Sequence, residues 1–182
     1  MDVVAYAASV GHSVWFSYDV GETWNRAHTN TGGIYNESRC WSLCTHVSRP
    51  GEVLSGTDLG VYRWDPLAAR WNHIPSPMDG FHILQIEQHP EDPDFIVAGT
   101  RPASVFISED GGKTWFKAPI GNATECEFIN TPRVTSVGFD PADTDTLWIT
   151  IEIDAVWRSS DRGRTWERLG TGLRTDDTHN IV

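Results

Sequence analysis

Short apolar runs, separated by polar stretches rich in Gly, Asp, Pro and Ser, recur along this chain. Val14-Trp15-Phe16, Val61-Tyr62-Arg63-Trp64, Val105-Phe106-Ile107 and Val156-Trp157-Arg158 form one set, β-branched and aromatic, and read as strands. A second set precedes it: Val3–Ala7, Val53–Thr57, Phe95–Thr100 and Leu147–Thr150. A third lies further upstream, at Trp41–Val47, Ile83–His89 and Val134–Asp140. Turns containing Pro50, Pro90 and Pro93, and Pro141 join the third set to the second. With a short strand after each of the first set, every repeat has four strands, A to D in chain order.

The polar link between strands C and D is itself a repeat. Ser-x-Asp-x-Gly-x-Thr-Trp occurs at Ser17 to Trp24, Ser108 to Trp115 and Ser159 to Trp166. Asp and Gly there signal a tight turn. The carboxylate can accept bonds from turn amides, the Gly can take φ > 0, and the Trp offers an apolar body to the next layer. A degenerate fourth copy runs from Asp65 to Trp71, without the Ser, Gly and Thr. Asp19, Asp65, Asp110 and Asp161 then follow one another at steps of 46, 45 and 51 residues. A period near 45 with four short strands is that of a β-propeller blade.

The expected fold is therefore all-β, a β-propeller of four-stranded antiparallel blades, with about four blades in this chain. The repeats fall at roughly 1–30, 39–75, 82–119 and 133–170 of a single domain, 1–182. The first repeat starts in strand B, and residues 179–182 match the start of a strand A. Either that last strand completes the first blade or the repeats belong to a larger propeller; the second is the expectation. Open strand edges predict self-association or further blades downstream.

The repeated octapeptide resembles the Asp-box, or bacterial neuraminidase repeat, of sialidases, other glycoside hydrolases, sortilin-type receptors and photosystem II assembly factors. The resemblance implies that Asp19, Asp110 and Asp161 build turns on the rim, away from any ligand site. It directs attention to the opposite face, made by the D-to-A and B-to-C loops, and long loops on a rigid scaffold are where binding residues concentrate. The sialidase catalytic set does not carry over. An Arg-Ile-Pro entry motif is absent, Tyr6, Tyr18 and Tyr62 fall on strands, and Tyr35 alone lies in a mouth-side loop, near Glu37.

Arg39, His82 and Arg133 share the first position of strand A, and His179 matches them in the last repeat. Such a ring would attract a carboxylate or phosphate, which Arg can hold through two bonds; it is similar to the arginine cluster that sialidases turn on a substrate carboxylate. The alternative is that these groups pair with Glu37, Glu125 and Glu127. The B-to-C loops add His12, Asp58, Arg101, Glu152 and Asp154. Read as strand residues two apart, Glu152 and Asp154 point to one side, about 6–7 Å apart, which suits catalysis by a carboxylate pair. His12, His82 and His179 could converge, but no His-x-His or Cys-x-x-Cys spacing supports a metal. No Gly-rich phosphate loop or Gly-x-Ser-x-Gly elbow is present, and no cofactor is expected.

Composition narrows the partners. The 182 residues carry a net charge of −11, which disfavours nucleic acid. No apolar stretch of about 18 residues exists, so no membrane span is expected. The first residues lack a basic n-region and a long apolar run, and the expectation is a cytoplasmic chain. Cys40 and Cys44, four apart on a strand, lie about 13 Å from each other, too far to bridge, and read as reduced thiols with Cys126. Asn36-Glu37-Ser38 and Asn122-Ala123-Thr124 match glycosylation sequons, read as accidental without a secretion signal.

Two functions follow. One is a ligand-binding or assembly-type propeller with its site at the channel mouth, taking a small anionic or carbohydrate ligand or a protein partner. The other is a glycoside hydrolase, or another hydrolase or lyase, acting on a sugar or small anionic substrate. An enzyme of the second kind needs two inward carboxylates about 5–10 Å apart. A binding module exposes aromatic side chains instead.

Overall fold

The computed structural model describes residues 5–27 and 33–181. It contains fifteen strands in four antiparallel sheets, and among the described residues no helix. The first sheet has three strands, β1 (Ala5–Ala8), β2 (Val14–Ser17) and β3 (Asn25–Arg26). The second is β4 (Cys40–Thr45), β5 (Val53–Thr57), β6 (Val61–Asp65) and β7 (Arg70–Ile74). The third is β8 (His82–Gln88), β9 (Ile96–Arg101), β10 (Val105–Ser108) and β11 (Phe116–Lys117). The fourth is β12 (Val134–Phe139), β13 (Leu147–Ile151), β14 (Val156–Ser159) and β15 (Glu167–Leu169). Strand order within each sheet follows the chain, and the sheets are the blades of a β-propeller. Val3 and Val4 of the expected first strand, part of the first D-to-A loop (28–32) and Val182 lie outside the described residues.

Each sheet packs on the next in sequence: β1 on β4, β4 on β8 and β8 on β12. The core lies between sheets, which is why these strands carry apolar residues on both faces. Leu54, Met78, Ile83, Ile86 and Phe106 fill the space between the second and third sheets. Val97, Ile107, Val134, Ile149 and Trp157 fill that between the third and fourth. Between the first and second, Phe16, Trp64 and Trp71 pack with tilted rings, Trp64 and Trp71 centred 5.3 Å apart.

Close approach of the sheets depends on one position of strand B. Gly56 and Gly99 face Val61 and Val105 in the ladder, and a Cβ on either would run into the inner strand of the following sheet. At Gly99 that Cβ would stand 2.4 Å from Val134 Cγ1. The equivalent positions of the first and fourth sheets are Ala8 and Thr150.

The octapeptide turns are clasps. Ser17, Ser108 and Ser159 donate to the Asp two residues on and accept the amide of Gly21, Gly112 and Gly163. Thr23, Thr114 and Thr165 close each clasp with a 2.6 Å hydroxyl bond to the same carboxylate. Those threonine bonds, first the hydroxyl and then the amide, pull Asp19, Asp110 and Asp161 down to about 2. The degenerate copy closes differently: Asp65 accepts the amides of Leu67 and Ala68, and Ala69 takes a left-handed φ of 47°.

Residues 179–181 do not form a strand, contrary to the reading of a strand A there. The segment nevertheless runs beside β12. Thr135 Oγ1 donates to the Thr178 carbonyl at 2.8 Å and Ser136 Oγ to Asn180 Oδ1 at 3.0 Å. Both bonds come from β12 side chains, and among the described residues the segment joins no sheet.

Candidate functional site

The clasps lie at the C-to-D turns, so the opposite face is the one where the inner strands β4, β8 and β12 begin. At that end all three inner strands carry a register shift against their B-strand partner, between Cys40 and Ser42, Ile83 and Gln85, and Val134 and Ser136. Bulges next to a binding site re-aim side chains. The three bulged residues, Trp41, Leu84 and Thr135, all line one cavity of about 210 Å³, together with Gln85, Arg133 and His179. The inner strands thus converge on the mouth through the residues that their bulges displace.

The basic residues divide into two groups. Arg133, one residue before β12, and His179 line this cavity. Arg133 is ion-paired to Glu152 at 3.1 Å, and His179 Nε2 lies 3.1 Å from Asp177. His82 opens β8 and does not line the cavity, but it stacks on Trp41 with ring centres 5.9 Å apart. Arg39, Arg101 and His12 do not line it. Arg39 is exposed and bridges to Val10 through its backbone, which also exchanges bonds with Asp58. Arg101, whose bond to Pro102 is cis, donates from Nε to the Thr131 carbonyl at 3.1 Å. His12 is exposed in the β1–β2 turn. His12, His82 and His179 form no metal-holding cluster among the described residues.

The carboxylate pair needs correction. Glu152 and Asp154 do not share a strand face, because β13 ends at Ile151 and a turn follows, with left-handed backbone at Ile153 (φ 62°) and Ala155 (φ 60°). Asp154 is buried, and its two oxygens accept Arg168 Nε and the Ala123 amide, each at 2.7 Å. It ties the 118–132 loop and β15 to the turn. Glu152 is held by Arg133. Both acids are therefore engaged by basic or amide donors.

A second cavity, about 480 Å³, adjoins on the same face. Phe128, Ile129 and Ile153 give it apolar walls, and Glu152, Asp176 and Asp177 an acidic edge. Phe128 stands at the tip of a small loop closed by the Cys126–Asn130 bridge and is 91% exposed. Tyr35, in the loop before β4, is 64% exposed. Trp41, Gln85 and Phe128 were not singled out from the sequence. Trp41 had a signal, two positions beyond Arg39 on an inner strand, whereas Phe128 sits in a loop without periodicity.

Cys40 and Cys44 are buried and unbridged, and burial pushes both thiols up to about 12. Among the described residues no helix is long and apolar enough to cross a membrane.

No protein-family model matches the chain. Its sequence is similar to that of a plant assembly factor. The photosystem II stability/assembly factor HCF136, chloroplastic, of Oryza sativa subsp. japonica is 31% identical over 119 residues. Those residues are 64% of this chain and 27% of that protein, so the chain spans about a quarter of the length of the curated relative it matches. Among solved structures, an ancestral GH74 enzyme superposes with a TM-score of 0.77 at 21% identity, covering 94% of this chain and 24% of the enzyme. A structure of YCF48 bound to D1 peptide superposes with a TM-score of 0.50 at 15% identity, covering 93% and 65%. At these identities the structures establish the fold, a β-propeller.

Proposed function

We propose that this chain is an assembly-type propeller module of the Asp-box kind that binds a protein segment at the channel mouth, opposite the clasps. The observation that carries the reading is the make-up of that face. It exposes Tyr35 and Phe128, while Glu152 and Asp154 are both engaged by neighbouring donors. Exposed aromatics on a rigid scaffold provide binding area at small entropic cost. The bulge-lined cavity adds Trp41, a flat apolar wall, and Arg133, a two-pronged donor for a carboxylate. Support also comes from the sequence match to HCF136 and from the fold shared with YCF48, a protein solved with a bound D1 peptide.

In this reading Arg133 takes a carboxylate of the captured segment, Arg39 lies along the mouth as a second cation, and the Trp41–His82 stack supports the apolar part. The test is fluorescence anisotropy with labelled peptide pools that carry either a free or an amidated C-terminus. The free-acid pool should bind more tightly, and Arg39→Ala with Arg133→Ala should weaken it at least tenfold. Unchanged affinity in the double variant would remove the reading.

The second reading, a glycoside hydrolase, is favoured by the GH74 superposition. It requires two carboxylates free to act on a glycosidic oxygen. Turnover of chromogenic glycosides that Glu152→Gln abolishes would replace the first reading by this one.

A further inference from the structure

The two cavities of the mouth share a wall, and the wall is made of paired basic and acidic side chains. Arg133 lines the smaller cavity and its partner Glu152 the larger, with 3.1 Å between their charged atoms. His179 lines the smaller and its partner Asp177 the larger, again at 3.1 Å. In both pairs the basic member faces one side and the acidic member the other. The larger cavity adds a third carboxylate, Asp176, and the apolar surfaces of Phe128, Ile129 and Ile153.

We infer that the two cavities form one bipartite site for a peptide bearing a carboxylate and, a few residues before it, a basic side chain next to an apolar one. The inference rests on the mouth being a peptide site, as proposed above. These pairs need not break. A guanidinium has five donors and a carboxylate about four acceptor positions, so Arg133 can hold Glu152 and a ligand carboxylate together. Glu152 and Asp177 likewise keep their partners and accept a ligand ammonium. Charges then alternate along a line: ligand carboxylate, Arg133, Glu152, ligand cation. Three successive contacts of roughly 3 Å, with the guanidinium and the carboxylate between them each about 2 Å across, span about 13 Å, which an extended chain rising about 3.3 Å per residue covers in about four residues. The carboxylate enters beside Trp41, and the apolar neighbour of the cation packs on Phe128. A chain of net charge −11 would repel a purely acidic segment, so the basic residue also decides which carboxylates are admitted.

The full chain is titrated by anisotropy with a labelled hexapeptide of glycine spacers in which the Lys of a Leu-Lys pair stands four residues before a free C-terminus. Three comparison peptides carry norleucine for Lys, glutamate for Lys, or a C-terminal amide. Against the unsubstituted protein, norleucine should weaken binding at least tenfold and glutamate further. Against the Glu152→Gln, Asp177→Asn double variant the Lys-to-norleucine ratio should fall below threefold, while the acid-to-amide ratio persists. Phe128→Ser removes an exposed side chain, and it should weaken the Leu-Lys peptide more than a Gly-Lys version of it. Equal affinity for the Lys and norleucine peptides, or a ratio that the double variant leaves intact, overturns the bipartite site. An acid-to-amide ratio that survives such a result leaves the carboxylate reading standing, and loss of both ratios ends both.

Discussion

Replacing Gly99 by alanine should loosen the third sheet from the fourth. The new Cβ would stand 2.4 Å from Val134 Cγ1 and 2.7 Å from Val134 Cβ. Ordinary carbon contacts are about 3.5–4.0 Å. Turning Val134 about χ1 moves Cγ1 but not Cβ, so the backbones of β9 and β12 must part by roughly 1 Å for that contact to become ordinary. In open space the substitution would help, because glycine inside a strand costs about 0.5–1 kcal/mol relative to alanine. Overpacking a closed interior costs about 1–3 kcal/mol, and both Ala98 and Val134 are fully buried around this site. Because no rotamer relieves the Cβ contact, the overpacking falls in the upper part of that range, about 2–3 kcal/mol, leaving a net loss of about 1–2.5 kcal/mol and a Tm lower by about 2–10 °C for a chain of this size. Calorimetry of Gly99→Ala, Val134→Ala and the double variant measures it. Val134→Ala removes the tighter of the two contacts, so the double variant should be less destabilised than the sum by at least ~0.5 kcal/mol. A Gly99→Ala protein melting at or above the parent, or strict additivity, would refute the close approach of the sheets.

Two further outcomes follow from the clasps and the thiols. The clasp aspartates are held near 2, below the ordinary carboxylate value of 3.8, so their contribution is present above about pH 4 and lost as pH falls towards 2. Thermal melts between pH 5 and pH 2 should therefore fall steeply, and less steeply in the Asp19→Asn, Asp110→Asn, Asp161→Asn triple variant; equal slopes would contradict the assignment. With Ellman's reagent, Cys126 should react first in the native protein. Cys40 and Cys44, buried and pushed up to about 12, should react only on unfolding; two or three fast thiols would contradict their burial.

The strands and the clasps were legible because they obey local rules. Alternating short apolar runs mark the strands, and Ser, Asp, Gly and Thr at fixed offsets mark the turns. Even the copy at Asp65, stripped of three of those residues, still places its turn, since the aspartate accepts backbone amides and Trp64 packs on Trp71 across the hairpin. The mouth was legible only as a list of residues at one end of the sheets. Glu152 and Asp154 looked like strand neighbours because nothing in Ile153 or Ala155 announces a left-handed backbone, which is uncommon for such side chains. The bulges that bring Trp41, Leu84 and Thr135 into one cavity depend on pairing between strands, which no run of sequence displays. The pairing of Arg133 with Glu152 and the contact of His179 with Asp177 come instead from loop geometry, which the sequence does not display either.

The packing of each sheet on its sequence neighbour has a kinetic consequence. Cys44 meets Gln88, Gln85 meets Thr135, and Thr135 meets Thr178, at separations of 44, 50 and 43 residues. Among the described residues, the substantial strand-to-strand contacts between sheets all join consecutive sheets. Every docking step therefore closes a loop of about the same length and carries about the same entropy cost, which grows only as the logarithm of that length. The chain can add sheets one at a time onto a surface already formed, in the order in which it is synthesised, as arrays of repeats do. Each newly docked sheet becomes the template for the next, so the rate of folding is set by one hairpin-and-dock event repeated rather than by a single search over the whole chain.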